Sequence, residues 1–177
     1  MKTKLLILLL PLAFVSCDFL DKFDHFSAGS TFDKSFTVNV GASETSFSGS
    51  AEFNATDDET ISENIDRIND YKLKKLSFKI TSYDGPSGAT GSGQFSFSSL
   101  GSLLGSPIAV SNVNFGQLQA SGDEVEVPLT DEVVLAVRDA YLNNQTITVE
   151  AGGEVSDSPI TMEFTVYMSI EARVNVD

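Results

Sequence analysis

Ile160-Thr161-Met162-Glu163-Phe164-Thr165-Val166-Tyr167-Met168-Ser169-Ile170-Glu171-Ala172-Arg173-Val174-Asn175-Val176 is the stretch that decides the fold. Its even positions are apolar and its odd positions are polar or amphipathic. Successive side chains of a strand point to opposite faces, so this alternation reads as a strand with one face on a core and one in water. A one-residue slip would expose the whole apolar set, so its pairing must be strongly specified. The run far exceeds the usual strand of about 5–6 residues. We therefore expect it to bend, to cross between sheets or to run past its neighbours.

The same period of two recurs upstream. Phe36, Val38 and Val40 alternate with polar residues, as do Phe47, Gly49, Ala51, Phe53 and Ala55. Leu76, Phe78 and Ile80 alternate with Ser77 and Lys79, and Phe95 and Phe97 with Ser96. Val125, Val127 and Leu129, then Ile147, Val149 and Ala151, follow the same rule. Each is a half-buried strand.

Two segments break the pattern. In Thr60–Asp70 the apolar residues fall at 61, 65 and 68, and Thr60 and Glu63 have capping-box spacing. In Thr130–Leu142, Thr130 can cap a helix whose first turn carries Asp131 and Glu132, with Asn143-Asn144 ending it. Both are predicted short helices. The stretch Asp84–Gly93 is rich in Gly and Ser and reads as a mobile loop. Ser99–Pro107 is a second loop, its Leu100, Leu103 and Leu104 expected to tuck under an end of the fold. The expectation is a mostly β protein, an antiparallel β-sandwich of about eight strands with two short helices. Residues 34–98 and 106–176 each read as ββαββ, which suggests two similar halves. A closed barrel is the alternative. An outer-membrane barrel is disfavoured, because charges crowd the polar faces and only one segment is long enough.

The N-terminus carries a different signal. Lys2 and Lys4 precede an apolar run from Leu5 to Val15, then Ser16 and Cys17, the chain's one cysteine. The run is shorter than the about 20 residues that span a bilayer core. The box Phe14-Val15-Ser16-Cys17 is similar to the lipobox of bacterial lipoproteins, with Phe14 where Leu is usual. The resemblance implies a signal peptide over residues 1–16, a diacylglyceryl thioether on Cys17 and cleavage before it. Residues 17–33 would be the lipidated cysteine and a tether, and residues 34–177 a single domain. The lone cysteine can form no intramolecular disulfide, so the fold must hold without one. Acids at 18, 21 and 24 of the tether resemble export signals of surface lipoproteins, whereas Asp18 directly after the cysteine resembles an inner-membrane retention signal. Phe19, Phe23 and Phe26 have helical spacing, which fits an amphipathic turn on the bilayer or on the domain; a plain linker is the other reading.

Charge narrows the partners. Removing residues 1–16 takes away Lys2 and Lys4 and no acid, so the net charge moves from −14 to −16. That argues against nucleic acid and against adhesion to anionic lipid. The only histidine is His25, which excludes Ser-His-Asp and Cys-His catalysis and His-ligated zinc. No phosphate-binding loop is present. Asp57-Asp58-Glu59, Asp123-Glu124 and Asp131-Glu132 are carboxylate pairs of the kind that run glycoside hydrolysis, and the cluster Asn54, Asp57, Asp58 and Glu59 could supply oxygen ligands to calcium. In so acidic a chain they read first as solvated helix starts and turns. There is no tryptophan to build a sugar platform, and four tyrosines remain: Tyr71, Tyr83, Tyr141 and Tyr167.

The body also resembles, loosely, small β-rich envelope lipoproteins without an assigned activity, through Asn64–Ile80 and the run Leu142–Val149 into the long terminal strand. The resemblance implies a cell-envelope location and no mechanism. The expectation is thus a lipid-anchored, non-enzymatic binding or scaffolding module, in the outer membrane, with no metal or cofactor. A carrier of a small apolar ligand between sheets and a carboxylate-dependent hydrolase are the alternatives. Its partners would be the membrane, through the covalent lipid, and an envelope protein or glycan. The candidate binding loop is Tyr83, Asp84, Gly85, Gly91 and Gly93.

Overall fold

The computed structural model describes residues 25–176. Two antiparallel sheets face one another. The first holds β1 (His25–Val40), β9 (Ile160–Asn175), β3 (Ile68–Asp84) and β7 (Val125–Val127), in that order. The second runs β2 (Ser46–Phe53), β8 (Ile147–Val155), β4 (Thr90–Ser99). On the outer edge of β4 sit β6 (Ile108–Asn114) and, past its end, the two-residue β5 (Ser102–Leu103). Strands alternate between the sheets from β1 to β4 and again from β6 to β9, with β4, β5 and β6 sharing the second sheet, which is the strand order of a jelly roll. The two ββαββ halves map onto each other with the sheets exchanged: each half supplies one edge strand and one inner strand to each sheet.

The last strand does not cross between sheets. β9 stays in the first sheet, paired with β1 over its whole length, from His25↔Asn175 to Val40↔Ile160. Its even residues from Ile160 to Val174 are buried as expected, together with Leu76, Phe78 and Ile80 opposite them. β1, β3 and β9 have 16, 17 and 16 residues, while β2, β4 and β8 have 8, 10 and 9. The first sheet therefore overhangs the second at the end where β1 begins. Helices cover the overhang. α3 (Asp131–Leu142) lays Val133, Val137, Ala140 and Tyr141 on it, and the Tyr141 hydroxyl donates to Met168 Sδ at 3.3 Å. α1 (Glu59–Glu63) adds Ile61. A third helix, α2 (Phe115–Ser121), follows β6 at the other end and inserts Phe115 between the sheets.

Four expectations are corrected here. The stretch 25–33, expected as tether, is strand: Ala28 and Phe32 bury against β9, and backbone pairing outweighs its loop-like composition. The helix expected over Thr60–Asp70 ends at Glu63, and a 3-10 turn at Ile65–Arg67 leads into β3. Its cap is Asp58, two residues before Thr60, whose Oδ1 accepts from Ile61 N at 2.9 Å. Thr165, expected on the wet face, is only 6% exposed. It lies between Ser35 and Thr81, its hydroxyl 2.8 Å from Ser35 Oγ and 3.4 Å from Thr81 Oγ1. Finally, Leu100 and Leu103 are not tucked in: they are 84% and 64% exposed, and of the three leucines Leu104 alone packs against the core. The signal peptide, Cys17 and the tether to residue 24 lie outside the described residues.

Candidate functional site

Tyr83 and Asp84 are the last residues of β3, and β4 starts at Thr90. The connection between them is thus Gly85–Ala89, far shorter than the Gly-rich composition suggested. It is also pinned. The Tyr83 hydroxyl donates to Pro86 O at 2.7 Å, and Ala89 N donates to the same oxygen at 3.0 Å. Ala89 is fully buried, and its carbonyl accepts from Phe115 N at 3.3 Å. The Tyr83 ring leans on Phe115, centroids 6.2 Å apart, rather than standing free as a platform. Burial, then the charges of Asp157 and Asp84, push its hydroxyl above the ordinary tyrosine value. A Cβ on Gly85 would come within 2.9 Å of the Tyr83 hydroxyl and 3.1 Å of Ile160 Cγ1, so glycine is the residue that fits.

Gly91 and Gly93 are not in the loop. Both are strand residues whose missing side chains make room. A Cβ on Gly91 would stand 2.1 Å from the Phe115 ring, and one on Gly93 would stand 2.2 Å from Gly152 O. Asp84 and Pro86–Gly88 are exposed, so the surface that the loop offers is small and polar. It is joined at this end by neighbouring turns. Ser156 N donates to Thr90 O at 2.9 Å and Val155 N to Thr45 O at 2.7 Å, which ties the β8–β9 and β1–β2 connections to the β3–β4 connection.

The carboxylate pairs are spent on structure. Asp57 pairs with Lys34 at 3.0 Å and Asp58 caps α1. Glu124 bonds Lys75 at 2.8 Å and Ser77 at 3.0 Å. The lysine bond first, then the serine bond, holds its carboxyl below the ordinary value. Glu132 accepts from the Ser106 backbone and hydroxyl. Among the described residues no group of three or more His, Cys, Asp or Glu is arranged to hold a metal. His25 lies on β1, where Arg173 Nη2 donates to its Nδ1 at 3.0 Å. Tyr71 and Tyr141 pack together inside, centroids 5.5 Å apart, and Tyr167 lies under Lys79 Nζ at 5.7 Å.

Between the sheets the phenylalanines fill the space. Phe164 packs against Phe36, Phe78 and Phe47, with centroids 5.4, 5.7 and 6.1 Å away. The cavity that Phe47, Phe78 and Phe164 line with Gly91, Phe95 and Phe115 has about 30 Å³. Room for a water-sized probe starts at about 10–15 Å³. A small-molecule site takes about 300–1,000 Å³. Sequence reading missed α2 and the role of Phe115. It also missed that no residue from Gly85 to Gly122 is Asp, Glu, Lys, Arg or His, in a chain that is 20% charged.

No protein-family model matches the chain, and no curated protein matches it. Among solved structures it is similar to a BFDV capsid protein in a decameric crystal form: TM-score 0.38, 11% identity, 84% of this chain and 98% of that one covered. It is similar to Turnip yellow mosaic virus: TM-score 0.36, 8% identity, 85% and 95% covered. For Desmodium yellow mottle tymovirus the values are 0.31, 11%, 99% and 98%.

Proposed function

We propose that this protein is held in the cell envelope by lipid on Cys17 and that its sandwich is a non-enzymatic binding or scaffolding module. The observation that carries the reading is the chain's sole cysteine standing where a basic and apolar leader ends. Two acyl chains on its sulfur give a stable anchor, where one chain would give a marginal one. The outer membrane is the expected site, on its periplasmic or its surface face, and the partner an envelope protein or glycan met by loops on a rigid scaffold.

The chain's layout supports this reading. β1 begins at His25, at one end of the sandwich, and the Gly85–Ala89 connection lies at the other. Sixteen residues of strand separate the two ends, about 50 Å at about 3.3 Å per residue. An anchor before β1 presents that connection away from the lipid. The carrier reading has less to support it, because a cavity of about 30 Å³ admits no drug-sized ligand without repacking. The hydrolase reading needs free convergent carboxylates, and Asp57, Asp58, Glu124 and Glu132 are engaged as caps and ion pairs.

The test is metabolic labelling with palmitate in the native host. The wild-type chain should carry label and partition with membranes, and Cys17→Ser should carry none and remain as a precursor or be released. Label on the Cys17→Ser variant, or an unlabelled wild type, would sink the anchor.

A further inference from the structure

The hairpin between β4 and β5 is unusual on two independent counts. Its two turn residues, Leu100 and Gly101, have φ of +49° and +77°. Ser99 pairs directly with Ser102 across them. Such a turn suits Asn-Gly; a leucine there has its Cβ crowded by the following carbonyl. This leucine also gains no burial in return, being 84% exposed. The residue thus serves neither the backbone conformation nor the core, and a backbone outlier of this kind points to function. Three residues on, Leu103 is 64% exposed.

Position adds a third count. The hairpin closes the short sheet on the side of the overhang, set back from the tip where β1 begins. Its continuation packs on the start of α3: a Cβ on Gly105 would touch Val133, and Ser106 bonds Glu132. The far end of α3 reaches Tyr71 and Met168, under the overhanging sheet. The exposed large apolar residues among those described are Phe26, Leu100, Leu103, Leu135 and Val176. Phe26 and Val176 are at the extreme tip of β1 and β9, and Leu135 is on α3. All five belong to this end; the opposite end, with the Gly85–Ala89 connection, shows none. The hairpin also lies within the uncharged stretch from Gly85 to Gly122, and the adjoining Asn143–Thr146 is uncharged too. The hairpin itself thus carries no charge, and the nearby Glu132 is bonded to Ser106.

We infer that the Leu100–Leu103 hairpin dips into the lipid interface and leans the short-sheet side of the sandwich onto the membrane, with the Gly85–Ala89 end outward. The inference rests on the anchor at Cys17. From Cys17 to His25 there are eight residues, roughly 28 Å of fully extended chain. The bilayer is then the one surface guaranteed to be within reach of this end. Exposed leucines at the headgroup boundary add binding in proportion to the apolar area they bury.

The chain has no tryptophan, so a single one reports without background. Leu100→Trp, Leu103→Trp and, at the opposite end, Ser87→Trp would be made in the full lipidated protein. Each would be reconstituted in phosphatidylethanolamine–phosphatidylglycerol vesicles with brominated acyl chains. Trp at 100 and at 103 should shift to the blue and be quenched about twofold or more, as expected for burial about 5–10 Å into the headgroup boundary; Trp at 87 should stay unquenched. Leu103 has an ordinary backbone, so its variant still reads if the one at 100 misfolds. Leu100→Asn suits the turn and should fold at least as stably, yet loosen the domain's orientation on the vesicle. Anchored protein with no quenching at 100 or 103 overturns the hairpin and leaves the anchor standing. A blue shift in native envelopes without quenching by brominated lipid means a protein surface and overturns it too. Absence of palmitate on Cys17 removes the anchor itself, and is read separately by the label.

Discussion

Phe164 and Thr165 are neighbours on β9 that face opposite ways, and both are buried. Phe164 is the hub of the aromatic cluster, so Phe164→Ala should destabilise by about 3–5 kcal/mol, measured by chemical denaturation. Thr165 has no core behind it. Its burial comes from neighbouring polar chains, and its hydroxyl bond to Ser35 is worth about 1 kcal/mol. Thr165→Ala should therefore cost about that much, well short of Phe164→Ala. Equal losses at the two positions would refute this division of the faces. At the residue scale the alternation told which way each side chain points. It did not tell how the long chains of adjacent strands would lie, and that is why Thr165 was expected in water.

Among the elements, α3 is the one whose start and stop were legible. Thr130 Oγ1 accepts from Val133 N at 3.3 Å, Asp131 and Glu132 sit at the positive end of the helix dipole, and Asn143 closes the last turn. Thr130→Ala should cost about 1 kcal/mol by thermal or chemical unfolding. A larger loss would mean that Thr130 does more than cap. α2 escaped because it is short and carries no helical stripe: Phe115 is its one fully buried residue. A local cap starts it, Gln117 N donating to Asn114 Oδ1 at 2.8 Å, and what holds it in place is tertiary, the Phe115 ring over Gly91. The Gly-rich loop misled for a related reason. Glycine marks a turn, but it also marks close approach of two backbones. Gly93 and Gly153, paired across β4 and β8, are of the second kind. Local composition does not separate the two.

For the whole molecule, acid and alkaline pH act on stability through different groups. The folded Glu124 carboxyl is held below its unfolded value. Its contribution is present above the ordinary carboxylate range near about pH 4.3 and is lost as pH falls through the lowered folded value. Tyr141 is the reverse. Burial raises its hydroxyl well above 10.0, so its contribution is present below the unfolded value of about 10 and is lost as pH rises past it. Unfolding midpoints measured against pH should fall on both sides, and Tyr141→Phe should flatten the alkaline side alone. An unchanged alkaline limb in that variant would assign it to Tyr71 or Tyr83, which burial also raises.

What the sequence by itself determined was the period, and with it the two-faced strands, the sandwich and the helix after Thr130. Period is a local property, because pleating sends alternate side chains to opposite faces whatever the partners are. The lipid-anchor reading is likewise local, a matter of order along the first 17 residues. Tertiary structure alone decided which strands pair, and that three long strands overhang three short ones. It decided that the overhang must be roofed by helices, and that all the exposed leucines end up on one side of the molecule. Those follow from contacts between residues far apart in the chain, such as Tyr141 on Met168 or Phe36 on Phe164, whose geometry no window of sequence contains. The candidate site divides along the same line. Tyr83 and its turn were visible as composition, while the hydroxyl turned back onto Pro86 and the strained Leu100 at the far end are products of the assembled fold.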